Sequence, residues 1–293
     1  MIYLPQPGDK LGAIAERFLG QARREWMISE ANGAAAVEPG VPLVVPLQPL
    51  NPTGITTDRV QTIPILCYHR FGMSNSKMVV SPARFAAQLE WLARDGYRVV
   101  RLDELPDFLA GRKPLPQKSV VITIDDGYES VHRFAYPLLR QYGFPATLFV
   151  YTDFIGAGDA LRWSQLQEMS SSGIVDIQSH TKSHRNLIER GRGESEDRYR
   201  TNLTAEMQVP KDLLQRRLDG HQIKAIAYPY GDANAVVVDS AVKNGFELGA
   251  TVVPGGNPFY AQPMLLRRTM IFGDLDIEGF KSKLLVSRPL QAP

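Results

Sequence analysis

The sequence predicts an α/β protein in which one large domain of alternating strands and helices follows a small module. Three observations carry this. The chain has 293 residues, too many for one average domain. From about residue 63 onward, short apolar runs alternate with segments of helical period, which favours a parallel barrel or a doubly wound sheet. Between them, Pro46-Leu47-Gln48-Pro49-Leu50-Asn51-Pro52-Thr53-Gly54 reads as a semi-extended break. The expected division is residues 1–47, a linker over 48–62, and residues 63–293.

Composition narrows the function classes. Hydrophobic residues make up 44% and charged residues 22%, so a disordered or fibrous chain is excluded. Thirty-three basic against 31 acidic residues leave +2, which gives no general pull toward nucleic acid or anionic membrane. The single cysteine, Cys67, excludes an intrachain disulfide and a cysteine-based zinc finger. Any metal must therefore be held by histidine or carboxylate, and there are only five histidines. No run of about 18 apolar residues is present to cross a membrane. The start, Met1-Ile2-Tyr3-Leu4-Pro5, lacks the basic and apolar stretches of a signal peptide.

In the small module, Leu11, Ile14, Ala15 and Phe18 recur at helical spacing, with Gly20 placed as a cap. A second short helix around Trp26–Ile28 ends at Asn32-Gly33, and Leu43-Val44-Val45 closes the block as a strand. In the large domain Ile63–Tyr68 is a strand, and Ser81-Pro82 opens a helix that stops before Gly96. Tyr97–Val100 is a strand, and Ser119–Ile124 is apolar enough for a buried parallel one. A helix over 131–142 follows, then strands near 146–150, 175–178, 225–227 and 248–252.

Every polar cluster of note sits just past the C-terminal end of a strand: Tyr68-His69, Asp125-Asp126-Gly127, His180-Thr181-Lys182-Ser183-His184 and Tyr228-Pro229-Tyr230-Gly231. In a (β/α) barrel those ends share one face, where active sites are built. Adjacent carboxylates repel unless a cation or a proton intervenes; the competing reading of Asp125-Asp126 is a helix cap. His180 and His184 are four residues apart, a spacing that aims both rings at one centre. One aspartate and two histidines make an open three-ligand site suited to catalytic zinc, with cobalt, nickel or iron(II) as alternatives. Such a metal acidifies water and polarises a carbonyl, so the reaction class is metal-assisted hydrolysis of an amide or ester.

At these residues the chain resembles the polysaccharide deacetylase family, the NodB homology domain of carbohydrate esterase family 4. Thr123-Ile124-Asp125-Asp126-Gly127 is similar to its Thr-Phe-Asp-Asp-Gly motif, His180–His184 to its His-Ser/Thr-x-x-His motif, and Tyr228–Gly231 to its Arg-x-Pro-Tyr-Gly motif. The resemblance implies a distorted, TIM-like (β/α)7–8 barrel that removes N-acetyl groups from amino sugars. It implies Asp125 as general base, Asp126, His180 and His184 as metal ligands, and the backbone N–H of Tyr230 as oxyanion donor.

Two departures matter. The arginine usual before the Pro-Tyr motif is replaced by Ala227, and the C-terminal Leu-x-His that supplies the general acid is absent. A subgroup resembling poly-β-1,6-N-acetylglucosamine deacetylases instead carries an N-terminal Tyr-His, which makes His69 the expected acid. One guanidinium of Arg267-Arg268 is a candidate to stand in for the missing arginine. Tyr228, Trp163 and Arg268 are the expected substrate contacts, and Tyr151 offers a flat face for a sugar ring. His132 and His221 have no motif around them and read as structural.

Residues 2–46 resemble a LysM carbohydrate-binding module, through Tyr3…Gly8-Asp9, Ile14-Ala15…Gly20, Asn32 and Gly40…Leu43-Val44-Val45-Pro46. That implies a βααβ unit holding N-acetylglucosamine glycan near Gly8, Asp9 and Asn32; the competing reading is a spacer that no longer binds. Together these resemblances imply a metal-dependent polysaccharide N-deacetylase, with peptidoglycan as first substrate and poly-N-acetylglucosamine as second. An O-acetyl xylan esterase and an inactive glycan-binding protein are the alternatives. The expected partner is glycan, with no nucleic acid and no protein implied. An enzyme of cell-wall glycan must be exported, so an extracytoplasmic protein, periplasmic or secreted, whose leader is missing from this chain is the expectation.

Overall fold

Ser119–Ile124, buried along its whole length, lies between Ile63–Tyr68 and Ala146–Val150 and runs parallel to both. Val175–Ser179, Ala225–Ala227 and Leu248–Ala250 continue the sheet in that order, all parallel. On the other side Ile63–Tyr68 pairs in parallel with Thr269–Met270. A parallel bridge between Ala250 and Leu266 joins the last strand to the segment leading into Thr269–Met270. Seven strand segments thus close a ring, the distorted barrel that the sequence predicts. This computed structural model describes residues 1–33, 36–74 and 76–290; residues 34–35 of the small module, residue 75 and the last three of the large domain lie outside the described residues.

Side chains alternate along each strand, so every strand has an inward and an outward set. Leu66, Tyr68, Ile122, Ile124, Leu148 and Ile226 face out and pack in the main core with the helices. Ile65, Val121, Phe149, Ala227 and Ala250 belong to a separate cluster inside the ring. The same parity places Cys67 and His69, Thr123 and Asp125, Gln178 and His180 on the inward face. The helix Pro82–Arg94 begins as expected: the Ser81 hydroxyl accepts the Arg84 N–H at 3.2 Å, and Pro82 needs no donor in the first turn. The expected 131–142 helix is instead a wide turn, Val131–Ala135, followed by Tyr136–Tyr142. Pro137, which lacks an N–H, lies at the junction.

The N-terminal module pairs Ile2–Tyr3 antiparallel with Leu43–Val44 and covers the ribbon with helices Leu11–Leu19 and Glu25–Asn32. It has its own core of Ile14, Ala15, Leu19, Ile28, Leu43 and Val45. It touches the barrel through Glu25 to Arg98 at 3.3 Å, and through Glu30, which accepts the Gln117 N–H at 2.8 Å. Both barrel partners stand at the N-terminal ends of strands, the end opposite Asp125. One expectation is corrected here: the stretch 48–62 is not wholly a linker. Arg59–Gln61 forms a strand antiparallel to Ser287–Pro289, a pairing with residues so distant that local sequence carries no sign of it. Among the described residues no helix is long and apolar enough to cross a membrane.

Candidate active site

Neighbouring strand residues point to opposite faces, yet Asp125 and Asp126 both approach His180 Nε2, at 4.0 and 3.5 Å. The backbone explains this. Asp126 has φ 75° and Gly127 φ 86°, so the chain turns back on itself where the strand ends. At Gly127 a Cβ would meet Val150 Cγ1 at 3.0 Å, so the motif's last position needs glycine on two counts.

His180, buried at the end of Val175–Ser179, donates from Nδ1 to the Ala227 carbonyl at 2.8 Å, which leaves Nε2 free to face Asp126. His184 Nε2 stands 3.4 Å from the same Asp126 oxygen. One donor atom from each of Asp126, His180 and His184 falls within 4.8 Å of the others. Tetrahedral zinc, with bonds of about 2.0–2.2 Å to nitrogen and oxygen, places neighbouring donors roughly 3.4 Å apart. The residues present therefore fit a divalent cation.

Asp125 is bound differently. Arg268 grips it with two hydrogen bonds of 2.7 Å, and both side chains are buried. Arg268 also donates to Thr123 Oγ1 and the Thr251 carbonyl, so the guanidinium is held on several sides. Burial alone would raise the Asp125 pKa, but the guanidinium outweighs it and keeps the carboxylate ionised far into acid. Cys67 donates its thiol to Asp125 at 3.4 Å; burial raises its pKa, so it stays a thiol. Cys67, His69 and Asp125 also cluster, but Arg268 already occupies both carboxylate oxygens there. Burial lowers the His69 pKa against the pull of Asp125 and Asp126. For His180 burial acts downward too, but the same two carboxylates prevail and raise it.

Six non-glycine residues have positive φ among the described residues, and four of them are Asp126, Thr181, His184 and Tyr230. Each such position costs of order 1–3 kcal/mol and survives only where its surroundings enforce it. Around the cluster stands an aromatic wall. Tyr230, 62% exposed, lies edge-on to His184 at 5.0 Å, and Tyr151 lies 5.1 Å from His184 while stacking on Phe154. Tyr128 packs edge-on to Phe154, and Arg70 caps the Tyr128 ring at 3.8 Å.

Comparison with known proteins decides the family. The model of the family "Polysaccharide deacetylase" matches residues 112–249. The Bacillus subtilis protein YxkH, named as a polysaccharide deacetylase, is 33% identical over 205 residues, covering 69% of this chain and 68% of its own. The chain belongs to the polysaccharide deacetylase family. A poly-β-1,6-N-acetyl-D-glucosamine N-deacetylase of Staphylococcus aureus is 29% identical over 199 residues, 64% of this chain and 67% of its own. Among solved structures, the Streptococcus pyogenes deacetylase PplD, in complex with acetate, superposes with TM-score 0.68 at 28% identity, over 76% of this chain and 98% of its own. IcaB from Ammonifex degensii gives 0.67 at 27%, over 76% and 96%. The chain is thus a deacetylase by kinship.

Several expectations about the deacetylase's residues change. Tyr228 does not line the site: it is fully buried on the outward face, its hydroxyl on the Met264 carbonyl at 3.0 Å. Parity is the reason, because its neighbour Ala227 takes the inward place. Arg268 is not a substrate contact either, since it is fully buried against Asp125. It does stand where the missing arginine was sought, and small Ala227 and Ala250 belong to the same inward cluster. Trp163 packs on the main core under the Arg217 guanidinium, not on the histidines. In the N-terminal module Asp9 accepts from Tyr3 and Gln6, and Asn32 bonds the Ile28 carbonyl and both backbone groups of Val44. Both side chains are thus engaged in holding the module together, and Gly8 turns beside them at φ 91°. His132 and His221 meet Glu168 and Asp176, both at 2.9 Å, away from the cluster. Sequence reasoning missed Phe154, Tyr128 and Glu206. A glutamate between Leu203 and Met207, on a helix's buried face, was the readable sign of the last.

Proposed function

We propose that this deacetylase hydrolyses N-acetyl groups on an N-acetylglucosamine polysaccharide, with a divalent cation held by Asp126, His180 and His184. The observation that carries the reading is the set of donor separations, 3.4 and 3.5 Å, beside an ionised buried carboxylate. When bound, such a cation (zinc first; cobalt, nickel or iron(II) as alternatives) acidifies water and polarises the acetamide carbonyl. Asp125 takes the proton of the attacking water, oriented by its two bonds to Arg268. His69 delivers a proton to the departing amine. The Tyr230 N–H steadies the oxyanion, and its left-handed backbone sets that group's direction. Tyr230, Tyr151 and Phe154 offer faces for pyranose rings.

Among substrates, poly-β-1,6-N-acetylglucosamine moves ahead of peptidoglycan, because a relative named for that polymer aligns over two thirds of its length. Such a polymer lies outside the cytoplasm, and so would the enzyme. The N-terminal module serves as a glycan tether. Its contacts at the far end of the barrel favour holding polymer at a distance over lengthening the cleft.

Acetate release from poly-N-acetylglucosamine, peptidoglycan and acetylated xylan, each with added zinc or cobalt, tests this. Turnover on the first that disappears in Asp125→Asn is expected. No turnover on any acetylated glycan would overturn it.

A further inference from the structure

Two of the three proposed ligands, His180 and His184, sit in one short loop, and the loop is strained. Thr181 has φ 71° and His184 φ 61°, conformations that residues with side chains rarely adopt. Something outside the loop has to enforce them. Glu206 reaches in from the long helix Glu196–Arg217, where Leu203, Met207 and Pro210 mark the buried face. It is only 7% exposed. Its Oε2 accepts the backbone N–H of Lys182 at 3.1 Å and of Ser183 at 2.9 Å, and its Oε1 accepts the Ser183 hydroxyl at 2.6 Å. The Glu206 backbone carbonyl accepts from Lys182 as well, at 3.0 Å. Lys182 and Ser183 lie between the two histidines; the Thr152 and Asp153 N–H groups hold the Thr181 and Lys182 carbonyls at 3.3 and 2.9 Å, and the Glu206 carboxylate holds the N–H side of the same span.

The contacts inside the loop are weaker. The His184 N–H reaches Thr181 Oγ1, and the Thr181 N–H reaches Ser179 Oγ, each at 3.2 Å. Bonds to a buried carboxylate are about twice as strong as neutral ones. We infer that Glu206 is a positioning residue for the cation: it holds the 180–184 loop in the strained form that brings His184 within reach of Asp126. It touches no ligand atom and acts through the backbone of residues 182 and 183. This inference rests on the metal reading above.

Cobalt(II) titration of the full chain, followed by its visible absorption, tests the inference. Glu206→Asp keeps the charge, but it is one methylene short and cannot serve both N–H groups and the hydroxyl. Its cobalt dissociation constant should rise about 10–100-fold, the usual cost of losing an outer-shell support, with a changed spectrum. Glu206→Gln can keep all three contacts, because its carbonyl oxygen accepts both N–H groups and its amide donates to Ser183 Oγ. Its bonds are neutral and weaker, so it should lose some affinity but clearly less than Glu206→Asp, with the wild-type spectrum kept. Glu206→Ala, if it folds, should bind more weakly than Glu206→Asp.

Wild-type affinity and spectrum in Glu206→Asp would overturn the inference while leaving the metal reading intact. A loss in Glu206→Gln as large as that in Glu206→Asp would also overturn it, because a side chain that keeps all three loop contacts would then do no better than one that cannot. A wild-type chain that takes up no cobalt would sink the metal reading and this inference with it.

Discussion

Arg268 holds Asp125 by both carboxylate oxygens, at 2.7 Å each, inside the barrel. The two residues are 143 positions apart, and the pair crosses from the Ser119–Ile124 strand to the segment that closes the ring. The guanidinium absent at Ala227 thus arrives from a different strand at the same carboxylate.

Arg268→Ala leaves a buried carboxylate without its partner. The expected loss of stability is about 3–5 kcal/mol, read from urea midpoints at pH 7. The pH dependence has a definite sign. In the wild type the folded Asp125 pKa is depressed, so its stabilisation is present above the unfolded value near 4 and fades as pH falls. In Arg268→Ala burial is opposed only by the charges of His180 and His69, so that pKa rises relative to the wild type and the penalty fades as pH falls. The gap between the two proteins should narrow on acidification; a gap that widens would contradict the ion-pair account.

Adding Ala227→Arg to Arg268→Ala restores a guanidinium on the inward face. Part of the lost stability and turnover should return. In the wild-type background Ala227→Arg meets a filled space and should destabilise by about 1–3 kcal/mol. Recovery in neither property would mean that position 227 does not look toward Asp125.

His69 titrates beside Asp125, whose charge raises its pKa against the effect of burial. By NMR the ring should titrate below the ordinary histidine value in the metal-free protein. In Asp125→Asn it should titrate lower still. An upward shift would show that the two groups are not coupled as the geometry requires.

Tyr228→Phe removes one hydroxyl bond to Met264. It should cost about 1 kcal/mol of stability and leave kcat/KM unchanged. Tyr151→Ala, beside His184, should instead raise KM. If Tyr228→Phe alone impaired substrate use, the outward placement of that residue would be wrong.

How far the sequence spoke depends on where each signal lay. Ser119–Ile124 is legible because four β-branched apolar residues among six, with only two hydroxyl residues between and before them, have few other fates. The order of polar clusters after strand ends was enough to bring Asp125, Asp126, His180 and His184 together. Tyr228 was misplaced because a motif gives spacing, not direction, and one step along a strand reverses the face. Arg268 was placed beside Asp125 by need rather than by any local pattern. Glu206 was missed because its partners are mainly backbone N–H groups 23 and 24 residues upstream, so that only its place on the buried face of its helix was readable. Arg59–Gln61 read as linker because its pairing strand comes near the end of the chain.

Metal content per chain, measured after loading with zinc and gel filtration, bears most directly on the central claim. The account predicts one zinc in the wild type, in Asp125→Asn and in His69→Ala, and little or none in Asp126→Ala, His180→Ala and His184→Ala. Zinc retained without His180 and His184, or lost with Asp125 alone, would contradict it.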